Sequence, residues 1–458
     1  MFVAATLTLL TTVIAQGPGG QDQGQEAKPI LTEREQSTLN DRLRQYLADE
    51  AEYDLATGVR DREKAAKARM KSKEKFESEW EKLEKKGNLL GSMPDLRAIF
   101  YNCFEREKPR HSLGQLRKEK LDLEDTEKDL EYSFFTPKKY RPTEPWTTLV
   151  VLPDAAGQPG QWVDPYDYFK ATWEDAELLD QAIVHMPVVP AGVELDPVPD
   201  YSREGSEAME DNRIRAVLQT FGAIMNGYNV DRDRVFLDCG RGSCGFGVRL
   251  VTLFPDRFAG LILRDPVPVD ELRLGNLIGI PILMLKTAAN GAVVDALQKR
   301  LEEKNPGTVT VIDAKGAAPH KESAADIAQW LADKKRKMSP SHVVLEPNHD
   351  RFNRAYWVDI YVADSLLNAP VDKKPRLEVK ADRASNRITV DAVGVERFEL
   401  VLNDALVDLD KPFTIVTNGK AVEETRRRSF RETKEGVVSR NDWSYLFPVR
   451  YVTTVPKE

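Results

Sequence analysis

The sequence predicts an α/β protein built on a mainly parallel sheet, with an N-terminal helical segment and a small C-terminal all-β module. Three observations carry that reading. Between Tyr132 and Lys337 short apolar runs alternate with windows of helical apolar spacing, the pattern of a parallel sheet covered by helices on both faces. Before that stretch only helical spacing recurs. After Pro340 only short strands and turn residues do.

The elements follow in order. Residues 1–15 (MFVAATLTLLTTVIA) form an apolar run ahead of the polar Gln16-Gly17-Pro18-Gly19-Gly20, which reads as a signal peptide followed by a linker over 16–30. No basic residue precedes the run, and an N-terminal membrane anchor is the alternative, although 15 residues fall short of the roughly 20 needed to span a bilayer. A secreted or periplasmic protein is expected. Over 31–131 a charged region places Leu39, Leu43, Tyr46 and Leu47 on one helical face, and Phe76, Trp80 and Leu83 on another. The dense charges between them are a solvated face; a helical hairpin that binds a protein partner is the functional alternative. A charged connector runs from Glu105 to about Leu130.

The α/β part is assigned to 132–338. Its strands are Ser133-Phe134-Phe135, Thr148 to Leu152, Gln181 to Val184, Val235 to Leu237, Gly260 to Leu263, Pro281 to Leu285 and Thr308 to Ile312. Its helices span Ile214 to Tyr228, Ala292 to Glu303 and Ala324 to Lys335. From 339 to 458 the strands Arg376 to Val379, Arg387 to Val390, Phe398 to Leu402 and Phe413 to Val416 alternate with turns at Asn386, Asn403-Asp404 and Asn418-Gly419. Tyr356 and Trp357 are read as core, with sugar binding by an exposed Trp357 as the alternative.

The net charge of -8, with both signs spread along the chain, argues against a nucleic-acid partner. Three cysteines exclude a disulfide scaffold. Neither a cofactor nor a metal is expected.

The most informative stretch is Val235 to Pro255, VFLDCGRGSCGFGVRLVTLFP: a strand, a glycine-dense turn, then a helix. With Phe254-Pro255-Asp256-Arg257-Phe258 after the helix, it resembles the α/β-hydrolase family, in particular its secreted polyhydroxybutyrate-depolymerase-like and prolyl-oligopeptidase-like members. Their segment runs DRVYLTG-x-S-x-GG, with PDRFA following. The resemblance covers about Tyr132 to Lys337 and implies an α/β-hydrolase-like sheet, with a nucleophile on a strained turn and backbone amides forming an oxyanion hole.

This chain departs from that pattern at the chemistry. Aligned without a gap from either side, Arg241 stands at the serine, and a guanidinium has only donors and cannot attack an acyl carbon. Shifting by two residues makes Ser243 the candidate; shifting by three makes it Cys244. The resemblance makes His320, in Ala317-Ala318-Pro319-His320, the equivalent of the base. At the acid position stands Asn290, with Asp265 and Asp295 as possible substitutes. Where the family has HG after the second strand, this chain has Pro153-Asp154-Ala155-Ala156-Gly157, and Asp154 would repel a developing oxyanion.

The expected function is therefore an exported α/β-hydrolase-fold protein with a degenerate site, serving as a binding or structural module for a small-molecule or polymer ligand. The alternative is an active serine esterase or peptidase using Ser243, His320 and Asp265 or Asp295. At the altered site a salt bridge between Arg241 and Asp154 is expected; an anion pocket around Arg241 is the competing arrangement.

Overall fold

The computed structural model describes residues 28–456 apart from 105, 107, 123–129, 157–160, 190–205, 270–272, 348–351 and 363–373. The predicted signal peptide, linker residues 16–27 and Gly157 lie outside the described residues.

The chain enters through a helical hairpin, α1 (Glu33–Leu55) and α2 (Val59–Glu84), with a short α3 (Met93–Phe100) folded against it. Thr32 and Glu35 form a reciprocal capping box at the start of α1, satisfying two amides that a helix end leaves unpaired. Leu39, Leu43, Tyr46, Leu47, Phe76, Trp80 and Leu83 are all buried, as the spacing predicts.

The central sheet has eight strands: β1 (Leu116–Leu121), β2 (Leu130–Phe135), β3 (Trp146–Leu152), β4 (Ala182–Pro187), β5 (Val230–Cys239), β6 (Gly260–Leu263), β7 (Ile282–Lys286) and β8 (Val309–Asp313). Their spatial order is β1-β2-β4-β3-β5-β6-β7-β8. Every pairing from β4 across to β8 is parallel, and β1 and β2 close one edge antiparallel. The predicted mainly parallel sheet is thus present. The stretch read as a connector supplies one of its edge strands, β1.

Side chains alternate across the sheet, as the two-residue strand period requires. Val150, Leu152 and Leu237 pack with α5 (Ser206–Gly227), α6 (Cys244–Leu253) and α7 (Gly291–Lys304) on one face. Leu149, Val151 and Phe236 pack with α4 (Pro165–Thr172) and α8 (Ala324–Leu331) on the other.

The C-terminal part holds two sheets. One has the order β16-β15-β13-β12-β9, from β9 (His342–Leu345), β12 (Arg376–Asp382), β13 (Arg387–Val393), β15 (Phe413–Thr417) and β16 (Lys420–Glu424). The other, β10-β11-β14-β17, uses β10 (Arg354–Ala355), β11 (Val358–Tyr361), β14 (Arg397–Leu402) and β17 (Val449–Thr454). Asn418 and Gly419 both take positive φ in the β15–β16 turn, the conformation a two-residue hairpin of this kind needs. Trp357 is only 1% exposed and donates to the Pro340 carbonyl, so it is core and offers no sugar platform.

This part is not all-β, because it carries α9 (Phe430–Arg440). Phe430 lies 4.9 Å from the Phe76 ring and 5.0 Å from Trp80, with Val437, Trp443 and Leu446 in the same cluster. The apolar face of the N-terminal hairpin packs against the chain's own C-terminal helix. No described helix is long and apolar enough to cross a membrane.

Candidate active site

The strand-turn-helix unit forms where the sequence places it. β5 ends at Cys239, Gly240 continues extended, Arg241–Ser243 make a single 3-10 turn, and α6 begins at Cys244. Glycine is needed here for close approach. A Cβ on Gly240 would lie 2.5 Å from Tyr168 Oη, and one on Gly242 would lie 2.8 Å from the backbone nitrogen of Ala155. The turn is thereby pressed against the loop after β3.

A nucleophile elbow holds its serine on a strained turn. None of residues 239–247 has positive φ. Positive φ occurs instead at Asp265 (53°), just after β6, and at His320 (67°), at the end of the loop following β8. Each such residue costs on the order of 1–3 kcal/mol.

The Asp154 carboxylate accounts for the turn's geometry. Its Oδ1 accepts from the Gly242 amide at 2.7 Å and from the Ala155 amide at 2.7 Å. Two charge-assisted bonds of this type contribute roughly 1.5–3 kcal/mol each. The expected Arg241–Asp154 salt bridge does not form. Arg241 Nη1 instead lies 3.4 Å from Asp265 Oδ2, with the arginine side chain 63% exposed at the rim. Backbone amides won the carboxylate because they are fixed beside it, whereas a rim arginine is solvated and gains little from pairing. The competing anion pocket is altered too, since the carboxylate of Asp154 already takes the Gly242 amide.

Asn290, at the acid position, donates from Nδ2 to Asp265 Oδ1 at 2.8 Å and to the Leu285 carbonyl at 3.1 Å. Its Oδ1 accepts from the Thr287 amide at 2.7 Å, which ties down the turn after β7. Arg241, Asp265 and Asn290 thus form one chain of contacts around the rim. Asp295 is engaged elsewhere, with Lys286 at 2.7 Å.

His320 stands apart from that chain. Its Nδ1 faces the Gly316 carbonyl at 3.1 Å, and since a carbonyl only accepts, Nδ1 carries a proton. Nε2 is buried with no partner among the described residues. Ser243, fully buried, donates from Oγ to the Gly240 carbonyl of its own turn at 3.1 Å. Neither Asp265 nor Asp295 orients the imidazole, and a carbonyl cannot supply the charge that stabilises an imidazolium. Cys239 and Cys244 are both buried, and the Cys244 thiol points at the Cys239 and Arg264 carbonyls.

Sequence reasoning missed the group beneath the site. Arg264 and Asp238 form an ion pair at 2.8 Å with each side chain only 1% exposed. Trp173 Nε1 donates to the second carboxylate oxygen at 2.9 Å, and Arg264 Nη1 donates to the Pro319 carbonyl at 2.8 Å, which fixes the residue before His320. Burial, with Asp238 nearby, pushes the Tyr168 phenol well above its ordinary range, so it stays protonated beside the turn. The available signal was an arginine closing the apolar run LILR at the end of β6. Among the described residues no group of His, Cys, Asp and Glu is placed to hold a metal ion.

No protein-family model and no curated protein matches the chain. Solved structures align with part of it. A thermostable esterase is 19% identical with a TM-score of 0.39, over 49% of this chain and 64% of its own. The S-formylglutathione hydrolase of Agrobacterium tumefaciens is 12% identical with a TM-score of 0.38, over 50% of this chain and 98% of its own. That of Staphylococcus aureus is 14% identical with a TM-score of 0.36, over 49% and 99%. The chain spans less than two thirds of the esterase's own length. Likeness at this level decides neither the fold nor the reaction; the strand order and pairing described above define the sheet.

Proposed function

We propose that this chain is an exported α/β-hydrolase-type scaffold whose former catalytic site no longer performs acyl transfer and serves as a binding or structural module. One observation carries the reading: a single oxygen of Asp154 accepts both the Gly242 and the Ala155 amides. In an α/β-hydrolase the oxyanion hole is built from the amide after the nucleophile and an amide of the loop after the corresponding strand. With Arg241 in the nucleophile register, Gly242 and Ala155 are those two donors. A substrate oxyanion would have to displace the Asp154 side chain from them, and losing even one such donor lowers the rate by roughly 10²–10³-fold.

The alternative, a serine hydrolase using Ser243 and His320, requires the hydroxyl to hydrogen-bond the imidazole. Ser243 spends its proton on Gly240, and its complete burial supports a structural role. The test is hydrolysis of short p-nitrophenyl esters: wild type and Ser243→Ala are expected to show the same background rate. A clear drop on substitution would restore the enzyme reading.

The binding role leaves the ligand as a small molecule or a polymer. Export rests on the apolar residues 1–15 and is checked by N-terminal sequencing of the protein from its own cells. The first residue is expected at or near Gln16, and an intact Met1 on exported protein contradicts it.

A further inference from the structure

Away from the elbow, where β5 begins, Arg232 is buried to 3% exposure at the junction of the sheet with the C-terminal part. Its Nε donates to the Asn441 carbonyl at 2.9 Å and its Nη2 to the Met225 carbonyl at 3.0 Å, near the end of α5. The Trp443 ring lies 5.8 Å from the guanidinium carbon. Its Nη1 is enclosed and has no partner among the described residues. Both hydrogen-bond acceptors are uncharged, and no described carboxylate forms an ion pair with it. A buried guanidinium without an anion is among the costliest groups a protein can carry.

The surroundings deepen the imbalance. Arg106, on the segment after α3, donates to the Met225 carbonyl at 3.2 Å and to Asn441 Oδ1 at 3.2 Å, so two arginines converge on the same helix end. Arg257 donates to the Arg440 carbonyl at 3.4 Å. The neighbouring carboxylate, Asp442, is held by both terminal nitrogens of Arg336, at 2.7 and 3.1 Å. Burial presses the Arg232 guanidinium down to about 9; Asp442 opposes this, while Arg106, Arg257 and Arg336 add to it. The carbonyl end of the α5 dipole offsets part of the excess, about half a charge.

We propose that a small monovalent inorganic anion, of the chloride class, binds at the enclosed Nη1 of Arg232. Compactness follows from the burial of Nη1, which leaves no access for a carboxylate carried on a chain. Single charge matches the single guanidinium of Arg232, which forms no ion pair among the described residues. Because Arg106 reaches the site from the N-terminal side, Arg232 from the sheet and Asn441 from the C-terminal side, the ion ties all three parts of the chain together.

The experiment is thermal unfolding of the full-length protein in sodium chloride and in sodium gluconate at equal ionic strength. Bromide-soaked crystals provide an independent measurement. Wild type is expected to melt about 3 °C higher in chloride, and Arg232→Gln to lose that difference. Bromide is expected to give an anomalous peak within about 3.5 Å of Nη1. Equal melting in the two salts, or an undiminished chloride effect in Arg232→Gln, overturns the proposal and leaves Arg232 as a cap of α5. Should Arg232→Gln fail to fold, the bromide map on wild type decides. A peak on Nη1 supports the site, whereas peaks confined to the surface mean an adventitious ion only.

Discussion

Replacing Arg336 by methionine is expected to destabilise the protein by roughly 3–5 kcal/mol, because it strands the buried Asp442 carboxylate without its cation. Arg336 reaches Asp233 at 2.7 Å and Asp442 at 2.7 Å, and its Nη1 also donates to the Asp256 carbonyl at 2.8 Å. These residues come from the start of β5, the turn after α6 and the loop after α9, so one guanidinium fastens the sheet to the C-terminal part. The pH dependence has a definite sign. Burial pushes the Asp442 carboxyl up, but the charge and hydrogen bonds of Arg336 more than offset it and hold it at about 2. A carboxyl depressed in the folded state adds stability above its unfolded pKa, about 3.9, and that contribution is lost as the pH falls toward 2. Urea unfolding at pH 7 should show the loss in Arg336→Met, and its acid transition should begin at higher pH than in wild type. An unchanged midpoint at pH 7 would remove this ion cluster from the account of how the parts are joined.

An effect of similar size is expected for Asp238→Ala. The substitution leaves the Arg264 guanidinium buried against the Trp173 ring, 4.9 Å away, with no counter-charge, at a cost of roughly 3–5 kcal/mol. Arg264 also holds the Pro319 carbonyl, so the loop carrying His320 should loosen. His320, 3% exposed in the native protein, should then react faster with diethyl pyrocarbonate. The double variant Asp238→Ala, Arg264→Met is expected to recover much of the stability, because removing both charges leaves nothing unpaired. A double variant no more stable than the single one would show that Asp238 acts through Trp173 rather than through Arg264.

The parallel strands were legible because burial on both faces forces continuous apolar runs; Gly260 to Leu263 was read with its observed bounds. β1 was not, because an edge strand pairs on one side only and LRKEKL keeps its charges in solvent. α9 was missed because FRETKEGVVSR has Gly436 inside it and little apolar periodicity. A Ser429 cap and contact with Phe76 and Trp80 stabilise it, and only the tertiary fold supplies that contact. Arg336 was hidden in Lys334-Lys335-Arg336-Lys337, a run that reads as solvated surface although its third residue is buried.

At the site, the sequence exposed the departures at Arg241, Asn290 and Asp154 but not their partners. Matching opposite charges suggested Arg241 with Asp154. The fold instead sets that carboxylate against two fixed amides, and backbone donors are invisible to a reading of side chains.

The central claim, that this scaffold has lost its acyl-transfer chemistry, is tested most directly by a fluorophosphonate, which phosphonylates only an activated nucleophile. Intact-mass measurement of wild type after prolonged exposure is predicted to show unmodified protein. A stoichiometric adduct that disappears in Ser243→Ala would contradict the account and establish Ser243 as a working nucleophile.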